Sequence, residues 1–207
     1  MGRAALRKSI AILVAGATLG LALPGHAQMF SEGYEFLKAV KDKDGTKVTE
    51  MLSTPGATVV NAKELDSGRS AMHIVTERRD GVWIDFLAQR GANVDMRDET
   101  GLTPLMLATQ LGFIDGVERL LKRGARVDIT NNAGETPLMF AVHSRNVELM
   151  RVLLQAGANP DRFDNSGRSA RDYAKLRGAN DVTLDAIARY EKSPDERESA
   201  TIYGPSF

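Results

Sequence analysis

The amino-acid sequence predicts an all-α repeat solenoid, in which stacked helix-turn-helix units are joined by β-hairpin-like loops. Three observations predict it. Glycines recur at Gly68, Gly101, Gly134 and Gly167, each 33 residues after the last. Gly-Ala pairs keep the same spacing at Gly91-Ala92, Gly124-Ala125 and Gly157-Ala158. Thr-Pro-Leu-Met recurs at Thr103 to Met106 and Thr136 to Met139, and Leu-Leu at Leu120-Leu121 and Leu153-Leu154. Independent markers that hold one register without insertion mean a stacked array, because one such unit cannot bury its apolar face alone.

Each marker has a physical role. The first glycine of each unit marks a turn that needs positive φ. Thr followed by Pro opens a helix, since the hydroxyl caps free N–H groups and proline at the first helical position loses no hydrogen bond. Leu105 with Ala108, and Leu138 with Ala141, form one apolar stripe three residues apart on a short helix. A second helix follows, carrying Val117, Leu120 and Leu121 in one unit and Leu149, Val152 and Leu153 in the next. Gly124 and Gly157 end it in the left-handed conformation.

Residues 98–128 and 131–161 carry these marks in full, and both strings resemble ankyrin repeats in their period and their Thr-Pro-Leu helix start. The resemblance extends over roughly 33–192. The outer units depart from the pattern: 65–97 reads Ser70-Ala71 for Thr-Pro but keeps His73 at the family's histidine position, where the ring typically ties neighbouring loops. Residues 164–192 read Ser169-Ala170, with Asp172 at the histidine position. The expected units are 33–64, 65–97, 98–130, 131–163 and 164–192, the first and last acting as caps within a domain of 28–192. The first connecting finger is two residues longer than the others, and Asp42-Lys43-Asp44-Gly45 reads as the polar turn between the helices of the first unit.

Residues 1–27 read as a cleavable signal peptide. Arg3, Arg7 and Lys8 precede an uncharged, mostly apolar run from Ile10 to Leu23, and Gly25-His26-Ala27 precedes the expected cut before Gln28. The run is short of the roughly 20 residues a transmembrane span needs. The expected location is the periplasm, with no stable membrane insertion after cleavage. The whole chain has 27 basic and 27 acidic residues; removing three basic residues with the signal leaves 24 − 27 = −3. That balance argues against nucleic acid as a partner. Cysteine is absent, which excludes disulfides and thiolate chemistry. Residues 193–207 lack a helical apolar period and are expected to be a disordered tail.

No phosphate-cradling, nucleophile-elbow or zinc-protease motif occurs, and no catalytic residue or cofactor is expected. Only two histidines follow the signal, too few to support a metal site. What the resemblance implies instead is a binding face, built from the residues flanking each turn glycine and ending each first helix. Its strongest candidates are Arg69, Arg78, Glu99, Leu102, Gln110, Leu111, Glu135, His143, Arg168 and Arg177. Leu102 and Leu111 are expected to be apolar residues facing solvent, where a partner site would use them. The four arginines are expected to make both ends of the face basic. The partner is an unidentified protein, and the chain is expected to be monomeric. A small ligand or cell-wall fragment on the same face is the alternative. Trp83, the only tryptophan, is expected in the core, with an outward contact as the alternative.

Overall fold

The repeat markers become five pairs of helices in the computed structural model, which describes residues 24–53, 58–178 and 181–197. Helix α1 (Pro24–Lys41) pairs with α2 (Gly45–Leu52), α3 (Ala71–Glu77) with α4 (Gly81–Gln89), and α5 (Pro104–Gln110) with α6 (Ile114–Lys122). Helix α7 (Pro137–His143) pairs with α8 (Val147–Gln155), and α9 (Ala170–Lys175) with α10 (Val182–Tyr190). The first helices pack in sequence from α1 to α9, and α4, α6, α8 and α10 pack in a second layer behind them. The basic start and apolar run of the expected signal lie outside the described residues, while α1 continues across the expected cut before Gln28. Among the described residues no helix is long and apolar enough to cross a membrane.

The period explains the core. Ile84, Val117, Met150 and Thr183 occupy equivalent places on the second helices, as do Leu87, Leu120, Leu153 and Ala186, and all are buried. On the first helices the buried row is Val75, Ala108, Ala141 and Ala174. These mostly small side chains let the helices approach closely. A second row runs through Met72, Leu105 and Leu138, all buried, and ends at Arg171. There the apolar residue gives way to a guanidinium that pairs with Asp161 (Nε to Oδ1 2.6 Å) and with Glu191. A charged residue suits the place where stacking stops and water begins.

The fingers are tied by backbone. Within each, a main-chain bond closes the turn, as from Asp98 N to Leu102 O (3.0 Å) and Asn131 N to Glu135 O (3.1 Å). Between them, Glu99 N donates to Ser67 O, Asn132 N to Thr100 O and Asn165 N to Ala133 O, at 3.0–3.1 Å. The turn glycines have φ near +80°, and a Cβ on Gly101 or Gly134 would also lie 2.7 Å from the backbone nitrogen of Asn132 or Asn165. Glycine is therefore required there twice, by the torsion and by the neighbouring finger. The longer first finger contains a 3-10 turn, Val59–Asn61, with both valines buried; residues 54–57 lie outside the described residues.

Thr103 and Thr136 cap their helices through Met106 N and Met139 N, both at 3.3 Å, and Asp44 caps α2 through Lys47 N at 2.9 Å. His73 ties two units. Its Nδ1 accepts from Ser70 N (3.2 Å), and its Nε2 donates to Leu102 O (2.9 Å). Asp172, at the same place in the fifth unit, accepts from Ser169 N and Oγ. Burial holds the His73 ring below its ordinary value of 6.5, outweighing the Leu102 carbonyl and Asp98. The unfolded chain therefore takes up a proton near pH 6.5 that the folded chain refuses. The stability this residue contributes is complete above that pH and is lost on acidification through the window below it. Melting temperatures from neutral to mildly acidic pH should fall more in the wild type than in His73→Gln. Equal falls would contradict this assignment.

The expectation of a disordered tail from residue 193 is corrected at its start. Residues 194–197 form a helical turn, because Ser193 N and Oγ both donate to Glu196 Oε2 (2.8 Å) while Glu196 N donates back to Ser193 Oγ (3.3 Å). This is a capping box. Residues 198–207 lie outside the described residues.

Candidate functional site

The fingers and first helices together make one face of the array, the concave side in solenoids of this kind. Four of the first helices share a position four residues past the capping Ser or Thr. Ile74, Leu107, Phe140 and Tyr173 occupy it at 33-residue intervals. Ile74 is buried in the core and Tyr173 packs against that core, while Leu107 and Phe140 are half-buried and do not pack on it. Because α5, α7 and α9 are neighbours, Leu107, Phe140 and Tyr173 form a row about 10 Å apart from helix to helix.

Leu102 and Leu111 flank this row. Both are half-buried rather than solvent-facing, which corrects the expectation for them. Neither packs on the core; Leu111 lies one helical turn after Leu107, and Leu102 lies in the finger that leads into the same helix. Two leucines are more fully displayed: Leu65, 81% exposed in the finger of the second unit, and Leu176, 69% exposed at the end of α9. Gln110, Glu99 and His143 are exposed on the face, and Glu135 is half-buried with Asn131 Nδ2 donating to its carboxylate (2.8 Å).

The arginines divide. Arg168 and Arg177 are exposed at the last unit. Arg168 lies over the Tyr173 ring (6.0 Å), and Arg177 Nη2 donates to His143 O (3.1 Å). Tyr173 in turn meets His143 edge-on, with ring centres 4.6 Å apart. Its hydroxyl donates to Asp164 Oδ2 (2.5 Å). Desolvation would raise the Asp164 carboxyl, but hydrogen bonds from Tyr173, Ser166 and the Arg168 N–H outweigh it and hold the group well below the usual carboxylate range.

At the other end the expectation of free basic groups is corrected. Arg69 pairs with Glu77 at 2.7 Å. Arg78 is an internal brace: its side chain is 17% exposed. Its Nη1 donates to Val40 O (2.5 Å), its Nε to Asp80 (3.2 Å), and the guanidinium lies 4.9 Å from the Trp83 ring centre. Its remaining Nη2 is buried without a hydrogen-bond partner, over an aromatic face that stabilises a cation. Of the four arginines expected to make the face basic, only Arg168 and Arg177 are exposed without an ion pair among the described residues.

Trp83 combines both readings made for it. It packs on the core and, with Gly45, Thr49, Val82 and Phe86, lines an apolar groove of about 220 Å³ between α2 and α4. This groove belongs to the second-helix layer, away from the stripe. Among the described residues no group of three or more histidine, aspartate or glutamate side chains is placed to hold a metal.

Two family models match the chain. One, described as ankyrin repeats in three copies, covers residues 36–131. The other, described as ankyrin repeats in many copies, covers residues 120–174. Together they span residues 36–174, which hold the stripe and the core rows up to the first helix of the fifth unit.

Proposed function

This chain is an ankyrin-repeat protein, built from non-catalytic modules that generally mediate protein–protein interaction, and we propose that it is an exported adaptor, or a regulator or inhibitor of an envelope protein. The observation that supports this reading best is the stripe of Leu102, Leu107, Leu111 and Phe140. These are half-buried leucines of one unit and an aromatic of the next, with Leu107 and Phe140 in register, and none of them packs on the core. An apolar strip rimmed by the charged Glu99, Arg168 and Arg177 has the composition of a protein-binding hot spot. Export rests on the basic start, apolar run and small-residue cut of residues 1–27. The array holds together without a disulfide, since the chain has no cysteine.

The test is affinity capture at native abundance, comparing wild type with Leu102→Glu plus Leu111→Arg. The variant should keep the thermal melt of the wild type to within a few degrees and lose the captured protein. A capture list unchanged by the two substitutions would sink the assignment of the face. Cell fractionation with N-terminal sequencing checks export separately, with Gln28 expected as the first residue of the processed chain.

A further inference from the structure

We propose that the end of this face built by the fourth and fifth units receives an acidic segment of the partner, whose carboxylates pair with Arg168 and Arg177 while an apolar side chain lies on Tyr173 and Leu176. This rests on the reading of the face as partner-binding and adds the chemistry of the partner.

Four side chains form one connected cluster. Arg168 lies over Tyr173, Tyr173 meets His143, and the His143 carbonyl holds Arg177. Among the described residues neither Arg168 nor Arg177 stands within ion-pair distance of a carboxylate. Their neighbours, by contrast, are paired: Arg145 with Asp181 (3.2 Å) and Arg171 with Asp161 (2.6 Å). The nearby carboxylates are committed elsewhere. Asp164 accepts from Ser166 N and Oγ, Arg168 N and the Tyr173 hydroxyl. Asp172 accepts from Ser169 and meets Lys175 at 3.7 Å, and Asp181 accepts from Thr183.

Among the described residues the two guanidiniums thus make no direct ion pair, although the Asp181 carboxyl, held low mainly by hydrogen bonds from Thr183, is lowered further by nearby Arg177. Both guanidiniums are pre-placed. A guanidinium lying over a ring keeps its edge of N–H donors for a bidentate carboxylate. Arg177 spends one donor on the His143 carbonyl and keeps the rest. Groups already held by a ring or a carbonyl lose less freedom on binding, which favours affinity. Leu176, beside Arg177 and 69% exposed, supplies the apolar contact. The second and third units are mixed in sign: their exposed finger tips carry Asp66 and Glu99 near the exposed cations Lys63, Arg79 and Arg97, while Arg69 is paired with Glu77 and Arg78 is half-buried and paired with Asp80.

The test pans a library of random peptides about twelve residues long on the full chain. Enriched peptides should be rich in Asp and Glu around an apolar or aromatic residue. The best of them, synthesised, should bind at least about ten-fold more weakly to Arg168→Glu plus Arg177→Glu and weaken steadily as salt rises. Peptides with no acidic excess, no enrichment at all, or binding indifferent to the two reversals would overturn the proposal. If enriched non-acidic peptides are lost in Leu102→Glu plus Leu111→Arg, the face stands and only the acidic chemistry falls. Peptides indifferent to both pairs of substitutions contradict both readings.

Discussion

Replacing Leu138 by alanine should remove about 2–5 kcal/mol of folding stability, while Leu107→Ala should cost about 1 kcal/mol or less. Both leucines sit on first helices and lose the same atoms. They differ in where those atoms lie. Leu138 is fully buried on α7, in the row behind Leu105, with α5 on one side and α9 on the other. Truncation leaves a cavity inside two interfaces at once, and in a one-dimensional array both neighbours lose their support. Leu107 is half-buried and lies outside the core, so its truncation only exposes a little more of the face. Urea denaturation compares them directly, as a shift of midpoint at constant slope. Equal costs would mean that Leu107 is core and that the stripe does not exist as a separate surface.

Arg78→Ala is the second large effect, at about 2–4 kcal/mol. A charge-assisted hydrogen bond contributes about 1.5–3 kcal/mol, and the cation–π contact about 0.5–2 kcal/mol. The two share one side chain and do not simply add. The residue links α1, through the Val40 carbonyl, to Trp83 on α4. The loss should therefore fall on the first two units. Trp83, as the only tryptophan, reports on them: its emission should shift to the red in the variant. Peptides or partners engaged by the last two units should bind unchanged. An unaltered emission and midpoint, with lost binding, would return Arg78 to the contact surface.

The contrast between Arg78 and Arg177 shows what was legible in the sequence. They stand at equivalent ends of two first helices, and each reaches the last carbonyls of the preceding first helix, at Val40 and His143. The 33-residue period aligned them correctly. It did not tell which would be covered, because that depends on Trp83, which has no counterpart at the other end. The period also carried the helices, the glycine turns and the buried rows, since those repeat. The row of Ile74, Leu107, Phe140 and Tyr173 was equally periodic. It was absorbed into the general apolar pattern of the first helices, where nothing in a single string separates a residue that faces the core from one that faces the fingers. Side-chain partners across units were illegible for a different reason. The pairing of Arg69 with Glu77 and the freedom of Arg168 depend on rotamers and on which carboxylates are already taken. Ser193 and Glu196, in contrast, form a capping box that their three-residue spacing announces; the surrounding prolines and charges concealed it.

The central claim is that the finger and first-helix face, and not the second-helix layer, meets the partner. Site-specific photo-crosslinking in the native cell tests it most directly. One photoreactive residue replaces Gln110, exposed at the end of α5, and another replaces Glu118, exposed on α6. The account predicts a discrete higher-mass adduct from position 110, absent from position 118, and abolished when Leu102→Glu and Leu111→Arg are added. An adduct from position 118 alone, or one from position 110 that survives those two substitutions, would contradict it.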